Sequence, residues 1–229
     1  MAGILSGLKS LGLDKLEGLE IFEDEEKKGL KIQKKAEAKE PVVLEEKDLI
    51  YDKAFTCAVC DKEFSSKIMK TGKAKLIATD IDLHYRYENI DSIKYDVVTC
   101  PKCGYSALLR YFPMTTSAQA KLIKANVYGK VKLSPISGET YSYEDMLERY
   151  KLALVCSIVK RAKDSEKAYV CLKNAWLLRG YAEELELKNE LTEEQRQELK
   201  TQELEYIQNA LDGFINAYLK SLSHGTLEK

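Results

Sequence analysis

Two short stretches of the sequence decide the fold, Cys57-Ala58-Val59-Cys60 and Cys100-Pro101-Lys102-Cys103-Gly104. Two residues between a pair of cysteines allow a tight turn to direct both sulfurs to one point. Gly104 can adopt the positive φ that such a turn often requires, and Pro101 stiffens the turn by fixing its own φ. Two CxxC pairs in a reduced protein are typical of four thiolates around one tetrahedral ion. The sequence therefore predicts one structural Zn²⁺ bound by Cys57, Cys60, Cys100 and Cys103.

The alternatives for these thiols depend on the compartment. Nothing near Met1 resembles a secretory signal, so we expect a reducing cytoplasm, where disulfides do not persist. Independent redox pairs are a further alternative, although a thioredoxin-type pair stands alone beside a βαβ pattern, which this sequence lacks. The 39 residues from Asp61 to Thr99 exceed the usual zinc-ribbon loop. Because loop-closure entropy rises only logarithmically with length, zinc stays the favoured interpretation.

The composition is that of a soluble protein with a hydrophobic core. The 36 basic and 37 acidic residues give a net charge of −1, which argues against a general nucleic-acid coat. Apolar runs are too short for a transmembrane helix, and Gly and Pro are too few for a collagen-like chain.

Shifts in composition predict an α+β fold, in which a small β-rich zinc-ribbon-like module precedes an antiparallel, tetratricopeptide-like helical domain. Strand candidates lie at Lys73–Ala78 and Ile93–Val98, and a short helix is predicted over Thr116–Tyr128. The predicted segments are residues 1–22, amphipathic; 23–48, a charged linker; 49–112, the four-cysteine module; 113–141, a short helix and loop; 142–222, the helical domain; and 223–229, a tail.

Three helices are predicted in the second half of the chain. Ser142 and Asp145 form a capping-box-like start, Asp164 or Ser165 caps the second helix, and Thr192 begins the third. Gly180 could end or loosen the second helix. Small residues spaced among large ones resemble a tetratricopeptide repeat, with a plain three-helix bundle as the alternative. The predicted buried face of the third helix is Leu199, Tyr206, Ile207, Ala210, Leu211, Phe214, Ala217, Tyr218 and Leu222. Cys156 and Cys171 are predicted to be small buried hydrophobes.

Two kinds of partner are consistent with these elements. The helices could offer a groove to an unidentified protein, with Tyr143, Tyr150, Tyr169 and Trp176 as candidate contacts, although core packing suits most of them as well. Alternatively, the basic stripe of Lys67, Lys70, Lys73 and Lys75 could bind nucleic acid through phosphate contacts.

Asp80, Asp82 and His84 form the remaining candidate site. Alternation along a strand would place the three side chains on one face, where they could in principle do acid–base chemistry. No nucleophile motif or phosphate loop accompanies them, so we expect a protein that is not an enzyme.

Five motifs follow one another along the chain. They are Tyr51-Asp52-Lys53 with Cys57 and Cys60, Asp80-x-Asp82-Leu83, Tyr95-Asp96-Val97-Val98-x-Cys100-Pro101-x-Cys103-Gly104-Tyr105, Tyr150-Lys151-Leu152-Ala153-Leu154, and Ser165-Glu166-Lys167-Ala168-Tyr169. In combination, these motifs resemble a bacterial family known as domain of unknown function 2225. The resemblance covers about residues 51–222 and implies a four-cysteine, zinc-ribbon-like module followed by tetratricopeptide-like helices in the bacterial cytosol, with no established activity. Ala58 and His84 depart from the family's usual proline and basic residue.

Overall fold

Six short strands precede four helices in the computed structural model, which describes residues 44–136 and 138–225. The predicted segment 1–22, most of the linker 23–48 and the end of the tail 223–229 lie outside the described residues. The strands are β1 (Ile50–Thr56), β2 (Glu63–Met69), β3 (Leu76–Thr79), β4 (Tyr85–Tyr87), β5 (Val97–Thr99) and β6 (Ser106–Leu108). The helices are α1 (Ser117–Asn126), α2 (Tyr143–Val159), α3 (Asp164–Leu187) and α4 (Glu193–Gly225).

The strands form three separate antiparallel hairpins, β1–β2, β3–β4 and β5–β6. The first predicted strand is real but begins later, at Leu76. The second is wrong in its first half, because Ser92–Tyr95 is a 3₁₀ helix. Asp91 explains this helix, since its carboxylate caps the turn by accepting a hydrogen bond from the backbone N–H of Ile93.

The helix starts follow local capping chemistry. Thr116 caps α1, and Ser142 caps α2 in a reciprocal box with Asp145, as predicted. The N-cap of α3 is Lys163, without a side-chain cap, so the prediction of Asp164 or Ser165 is wrong by one or two positions. Asp164 lies in the first turn instead, where its carboxylate pairs with Lys167 at 2.9 Å.

Gly180 lies inside α3 and does not end it. A Cβ at this position would come within 2.6 Å of the Tyr143 hydroxyl and 2.7 Å of the Asp91 carboxylate. The glycine is therefore required because the side chains of Tyr143 and Asp91 approach the α3 backbone closely, and the prediction that it could end a turn here is corrected.

Helices α3 and α4 form an antiparallel hairpin. Glu186 pairs with Arg196, Arg179 with Glu203 and Asp164 with Lys220, so positions that advance along one helix retreat along the other. The tetratricopeptide-like arrangement is not confirmed. The two helices contain 24 and 33 residues, which is far more than a 34-residue repeat can divide between a helix pair.

Much of the predicted buried face of α4 is exposed. Ala210 is buried, but Leu211, Phe214, Tyr218 and Leu222 are between 38% and 64% exposed. The prediction failed because α4 is apolar on two sides, and α3 covers only one of them.

The predicted division between the zinc module and the helices does not separate two cores. One buried cluster joins Ile93, Tyr95 and Val97 to Tyr150 and Leu177 of the helices. The other joins three of the CxxC cysteines to Leu152 and Cys156 of α2. Even Leu49, next to the predicted linker, is buried, and Glu46–Leu49 forms a 3₁₀ helix. Strands and helices therefore fold as one unit around the thiol site.

None of the helices in the described part of the chain is both long and apolar enough to span a bilayer.

Candidate metal centre

Each CxxC pair lies at the turn of a β-hairpin, and the two turns share one backbone pattern. At the β1–β2 turn, the N–H of Asp61 donates to the carbonyl of Cys57, whose own N–H donates to Lys62. At the β5–β6 turn, Gly104 donates to Cys100 and Cys100 donates to Tyr105 in the same way. The two hairpins therefore present equivalent loops, which face each other across the site.

The residue four positions after the first cysteine of each pair has a positive φ. Gly104 has a φ of 78°, as its position predicted, and Asp61 has a φ of 58°. Aspartate is one of the few non-glycine residues that tolerate this conformation, so the first turn needs no glycine. A Cβ on Gly104 would also lie 3.1 Å from Val131, which further favours glycine in the second turn.

The four sulfurs form one compact cluster. All four Sγ atoms lie within 4.8 Å of one another. The closest pairs cross between the loops, Cys57 with Cys103 at 3.5 Å and Cys60 with Cys100 at 3.7 Å. A regular tetrahedron with Zn–S bonds of about 2.3 Å has S···S edges of about 3.8 Å, which these distances approach. A disulfide requires about 2.05 Å. The arrangement fits a single shared ion rather than two separate dithiols.

The surroundings of the cluster are apolar. Cys57, Cys100 and Cys103 are buried, and Cys60 is partly exposed. Phe55 and Phe64 approach the ring of Phe112 at 5.8 Å each, and Tyr105 stacks on the same ring at 4.9 Å. This shell keeps water from three of the sulfurs. It favours a structural site that retains its ion over a site that exchanges bound water or substrate.

The electrostatics of the cluster favour one thiolate among protonated neighbours when no cation is present. Hydrogen bonds from Cys103 and Cys57 lower the pKa of the Cys100 thiol, whereas the contact with Cys100 raises the pKa values of Cys57 and Cys103. The backbone N–H of Val59 also points at the sulfur of Cys57, at 3.4 Å. Four thiolates in an apolar shell need a cation, because buried negative charge is costly without a partner. The donor set therefore fits a closed tetrahedral Zn²⁺ site, in which Cys57, Cys60, Cys100 and Cys103 would be the ligands.

The predicted cluster of Asp80, Asp82 and His84 also comes together, but as a turn between β3 and β4 rather than as a strand. The three side chains point inward onto α3. Arg179 bridges the two carboxylates, at 3.1 Å to Asp80 and 2.7 Å to Asp82. The indole N–H of Trp176 donates to Asp82 at 3.0 Å.

His84 lies at the centre of this second cluster and is 98% buried. Its ring stacks on Trp176 at 4.8 Å. The two ring nitrogens lie 3.6 Å from Asp80 and 3.5 Å from Asp91, and neither makes a hydrogen bond of good geometry. The Asp91 carboxylate also accepts a hydrogen bond from the Tyr143 hydroxyl at 2.7 Å.

The carboxylates of this cluster are held in their charged form by the protein itself. The hydrogen bond from Arg86 lowers the pKa of the Asp80 carboxyl. Burial is the largest influence on Asp82 and raises its pKa, but the hydrogen bond and charge of Arg179, together with the Trp176 indole N–H, outweigh burial and leave that pKa below its usual value. Burial likewise opposes ionisation of Asp91, and the contacts of His84 and Tyr143 overcome it. Carboxylates engaged in this way stabilise the fold and are poorly suited to accept a proton from a substrate.

The four predicted groove residues lie mostly in the core. Tyr150 is fully buried and its hydroxyl donates to the carbonyl of Ile93, while Tyr143 and Trp176 are only 6% and 5% exposed. Tyr169 is partly exposed. The first three therefore cannot line an open groove, and their selection as partner contacts is corrected: large aromatic side chains at helical spacing reflect packing against the strands.

Three of the four lysines in the predicted basic stripe make contacts within the chain, two of them with acidic side chains. Lys67 pairs with Asp52 at 3.4 Å, and Lys75 pairs with Glu88 at 3.5 Å. The ammonium of Lys70 donates to the carbonyl of Asp48 at 2.8 Å, and Lys73 is exposed. Nucleic acid would have to compete with these contacts for most of the stripe.

Arg86, Asp91 and Arg179 are central to the second cluster, and no pattern in the sequence indicated their roles. Arg179 is separated from Asp80 by 99 residues, so neither spacing nor periodicity could connect the two. The alternation of Asp80 and Asp82 after β3 was the signal in the sequence, and it indicated the carboxylates of the network but not the arginines that pair with them.

Comparisons with known proteins place the chain in a family without assigning a process. A family model described as "Uncharacterized protein conserved in bacteria (DUF2225)" matches residues 50–226, which include both CxxC pairs and all four helices. No curated protein and no solved structure matches the chain. Since the match covers most of the chain, the protein belongs to this bacterial DUF2225 family.

Proposed function

We propose that the protein is a non-catalytic, protein-binding module whose fold is held together by one structural Zn²⁺. The ion would be bound by Cys57, Cys60, Cys100 and Cys103, whose four sulfurs leave no coordination position for a substrate. Removing the ion would release the β1–β2 turn from the β5–β6 turn, and the β5–β6 hairpin packs on α2. The metal would therefore hold the two hairpin turns together.

The protein-binding role is supported by an open groove between α2, α3 and α4. The groove has a volume of about 710 Å³. Its apolar lining includes Leu154, Ile158 and Tyr206. Charged side chains of both signs share the lining, Lys151 and Lys167 with Asp164, Glu205 and Asp212. A lining that mixes apolar and charged side chains suits an amphipathic peptide segment. The apolar side chains would bury the apolar face of the peptide, and the charged side chains would orient it.

The test uses the whole zinc-loaded chain as bait in a bacterial lysate, with the candidate partner then purified and titrated. Asn209→Trp would fill the groove, whereas Lys130→Trp places the same bulk at an exposed residue that is not among those lining it. We expect a partner that binds the wild type and Lys130→Trp equally and loses at least tenfold in affinity to Asn209→Trp. Equal binding by all three proteins would contradict the proposal.

A parallel titration with a mixed oligonucleotide pool tests the alternative. Binding driven by phosphate contacts must be strongest at low salt and must weaken steeply as salt rises. Salt-dependent binding that is lost when Lys67, Lys70, Lys73 and Lys75 are all changed to Gln would favour the nucleic-acid role instead.

A further inference from the structure

Helix α4 has a second apolar side, which faces away from α3. Its members follow the sequence at steps of four and three: Leu204, Gln208, Leu211, Ile215, Tyr218 and Leu222. We call this set the outer seam. Alternating steps of four and three define the a and d positions of a heptad repeat, which is the pattern of a coiled coil rather than of a helix that packs on one globular core.

The structure separates the outer seam from the side of α4 that packs inward. Tyr206, Ala210, Gly213 and Ala217 occupy the positions that point to the opposite side, and Ala210 is buried. At Gly213 the helices approach so closely that a Cβ would lie 2.8 Å from the Cβ of Ala168. By contrast, the five apolar members of the outer seam are between 47% and 64% exposed. The inward contacts of α4 therefore leave the heptad face to solvent.

The heptad pattern, the lack of charge and the area of the outer seam indicate what binds to it. We propose that two copies of the chain associate through their α4 helices as a parallel coiled coil. From Leu204 to Leu222 the seam spans about 27 Å at 1.5 Å per residue. With the flanking, exposed Phe214 and Leu219, it offers on the order of 600 Å² per copy, which approaches the roughly 800 Å² per partner of a specific interface.

Charge supports a second copy in the parallel orientation. The seam itself carries no charged side chain, so it is complementary to itself and not to a charged partner. A parallel pair would bring Lys200 of one copy near Glu205 of the second copy, because these residues occupy the g and e positions that flank the seam. An antiparallel pair would instead place Asp212 opposite Asp212. Gln208, at an a position, is the kind of polar residue that fixes register in a parallel dimer.

No member of the outer seam is among the residues that line the proposed partner groove, although Glu205 and Asp212, which flank the seam, line the groove as well. Loss of groove binding in the Asn209→Trp test would leave the seam intact. Loss of self-association would likewise leave the groove intact, so the two proposals fail separately.

The test is sedimentation equilibrium of the full, zinc-loaded chain over about 1–200 µM, which brackets a micromolar dissociation constant. We expect the mass to rise from 26.0 kDa to twice that value. The double variant Leu211→Glu, Ile215→Glu should stay monomeric throughout while keeping its helical circular dichroism and zinc content, because both positions are exposed in the single chain. Ile81→Glu, at another exposed apolar residue, should dimerise like the wild type.

Orientation is tested by a charge exchange. Lys200→Glu should weaken the dimer about threefold, and adding Glu205→Lys should restore it, since an exposed ion pair contributes up to about 1 kcal/mol. A wild-type chain that stays monomeric at every concentration, or a dimer that survives Leu211→Glu, Ile215→Glu, overturns the proposal. A double exchange that fails to restore the dimer overturns the parallel arrangement.

Discussion

The protein contains two clusters of chemically active side chains that differ in how their charge is balanced. In the thiol cluster, four sulfurs face one another within 4.8 Å, in an apolar shell. In the carboxylate cluster, Asp80 and Asp82 face Arg86 and Arg179 at 2.7–3.1 Å. The second cluster supplies its own cations from the chain, whereas the first brings together four metal-ligand side chains at spacings compatible with a single bound ion. This difference separates a metal site from a structural ion-pair network, although both were candidate sites in the sequence.

Breaking the thiol cluster should have the largest effect. Cys100→Ser removes one ligand of four, and apparent zinc binding of about 10–16 kcal/mol in small zinc peptides is comparable to the whole stability of a domain. We expect loss of stoichiometric zinc and of cooperative thermal unfolding. Cys171→Ser, at a buried cysteine outside the cluster, should retain zinc and unfold cooperatively. Similar behaviour of the two variants would show that burial, and not metal binding, explains the cysteines.

Breaking the carboxylate cluster should cost less and should leave the metal in place. Arg179→Met leaves Asp80 and Asp82 without their shared guanidinium, and removal of one partner of a partly buried ion pair costs about 3 kcal/mol. Chemical denaturation of the zinc-loaded protein measures this loss. Arg196→Met, which removes an exposed pair with Glu186, should cost no more than about 1 kcal/mol. If Arg179→Met also released zinc, the two clusters would not be independent.

Acid should weaken the carboxylate cluster with a predictable sign. The pKa of Asp82 is lowered in the folded protein, so its contribution is present above the unfolded pKa of about 3.9 and is lost as pH falls through the folded value. Asp82→Asn should therefore be less stable than the wild type at pH 7, and the difference in unfolding free energy should shrink as pH falls below about 3.9. Thiolate protonation affects both proteins equally and cancels in this difference. If the difference in unfolding free energy stayed constant from pH 7 to pH 3, this explanation of Asp82 would be wrong. The control Asp52→Asn, at an exposed carboxylate, should differ little from the wild type at any pH.

The smallest of these effects concerns one hydrogen bond at the edge of the carboxylate cluster. Tyr143→Phe removes the donor to Asp91 and should cost about 1–2 kcal/mol in unfolding free energy, because a buried acceptor loses one partner. Tyr128→Phe, at a half-exposed residue, is the matched control and should change little. Equal stability of the two variants would mean that the Tyr143 hydroxyl adds nothing to the contacts that His84 and the backbone N–H of Ile93 make with Asp91.

The two clusters also differ in how far the sequence could predict them. Each thiol loop is local: the cysteine spacing, Pro101 and Gly104 define a turn, so the ligand set and the positive φ of Gly104 were predicted. The ion-pair network is not local. The partners of Asp82 are Trp176 and Arg179, more than 90 residues away, and no periodicity in the sequence links them.

The helices show the same limit. The capping residues Thr116 and Ser142 were predictable because a cap needs only four consecutive residues. The meaning of Gly180 was not, since it depends on Tyr143 and Asp91 from other elements. The burial of α4 was also mispredicted, because periodicity gives the spacing of apolar residues without saying which of two apolar faces α3 covers.

At the proposed zinc site, four cysteines distant in sequence would bind a single ion. Elemental analysis of the purified full chain, combined with X-ray absorption at the zinc edge, measures both the amount of metal and its neighbours. We expect one zinc per chain with four sulfur neighbours at about 2.3 Å and no oxygen neighbour. A chain that folds cooperatively without metal, or a zinc bound by fewer than four sulfurs, would rule out the proposed site.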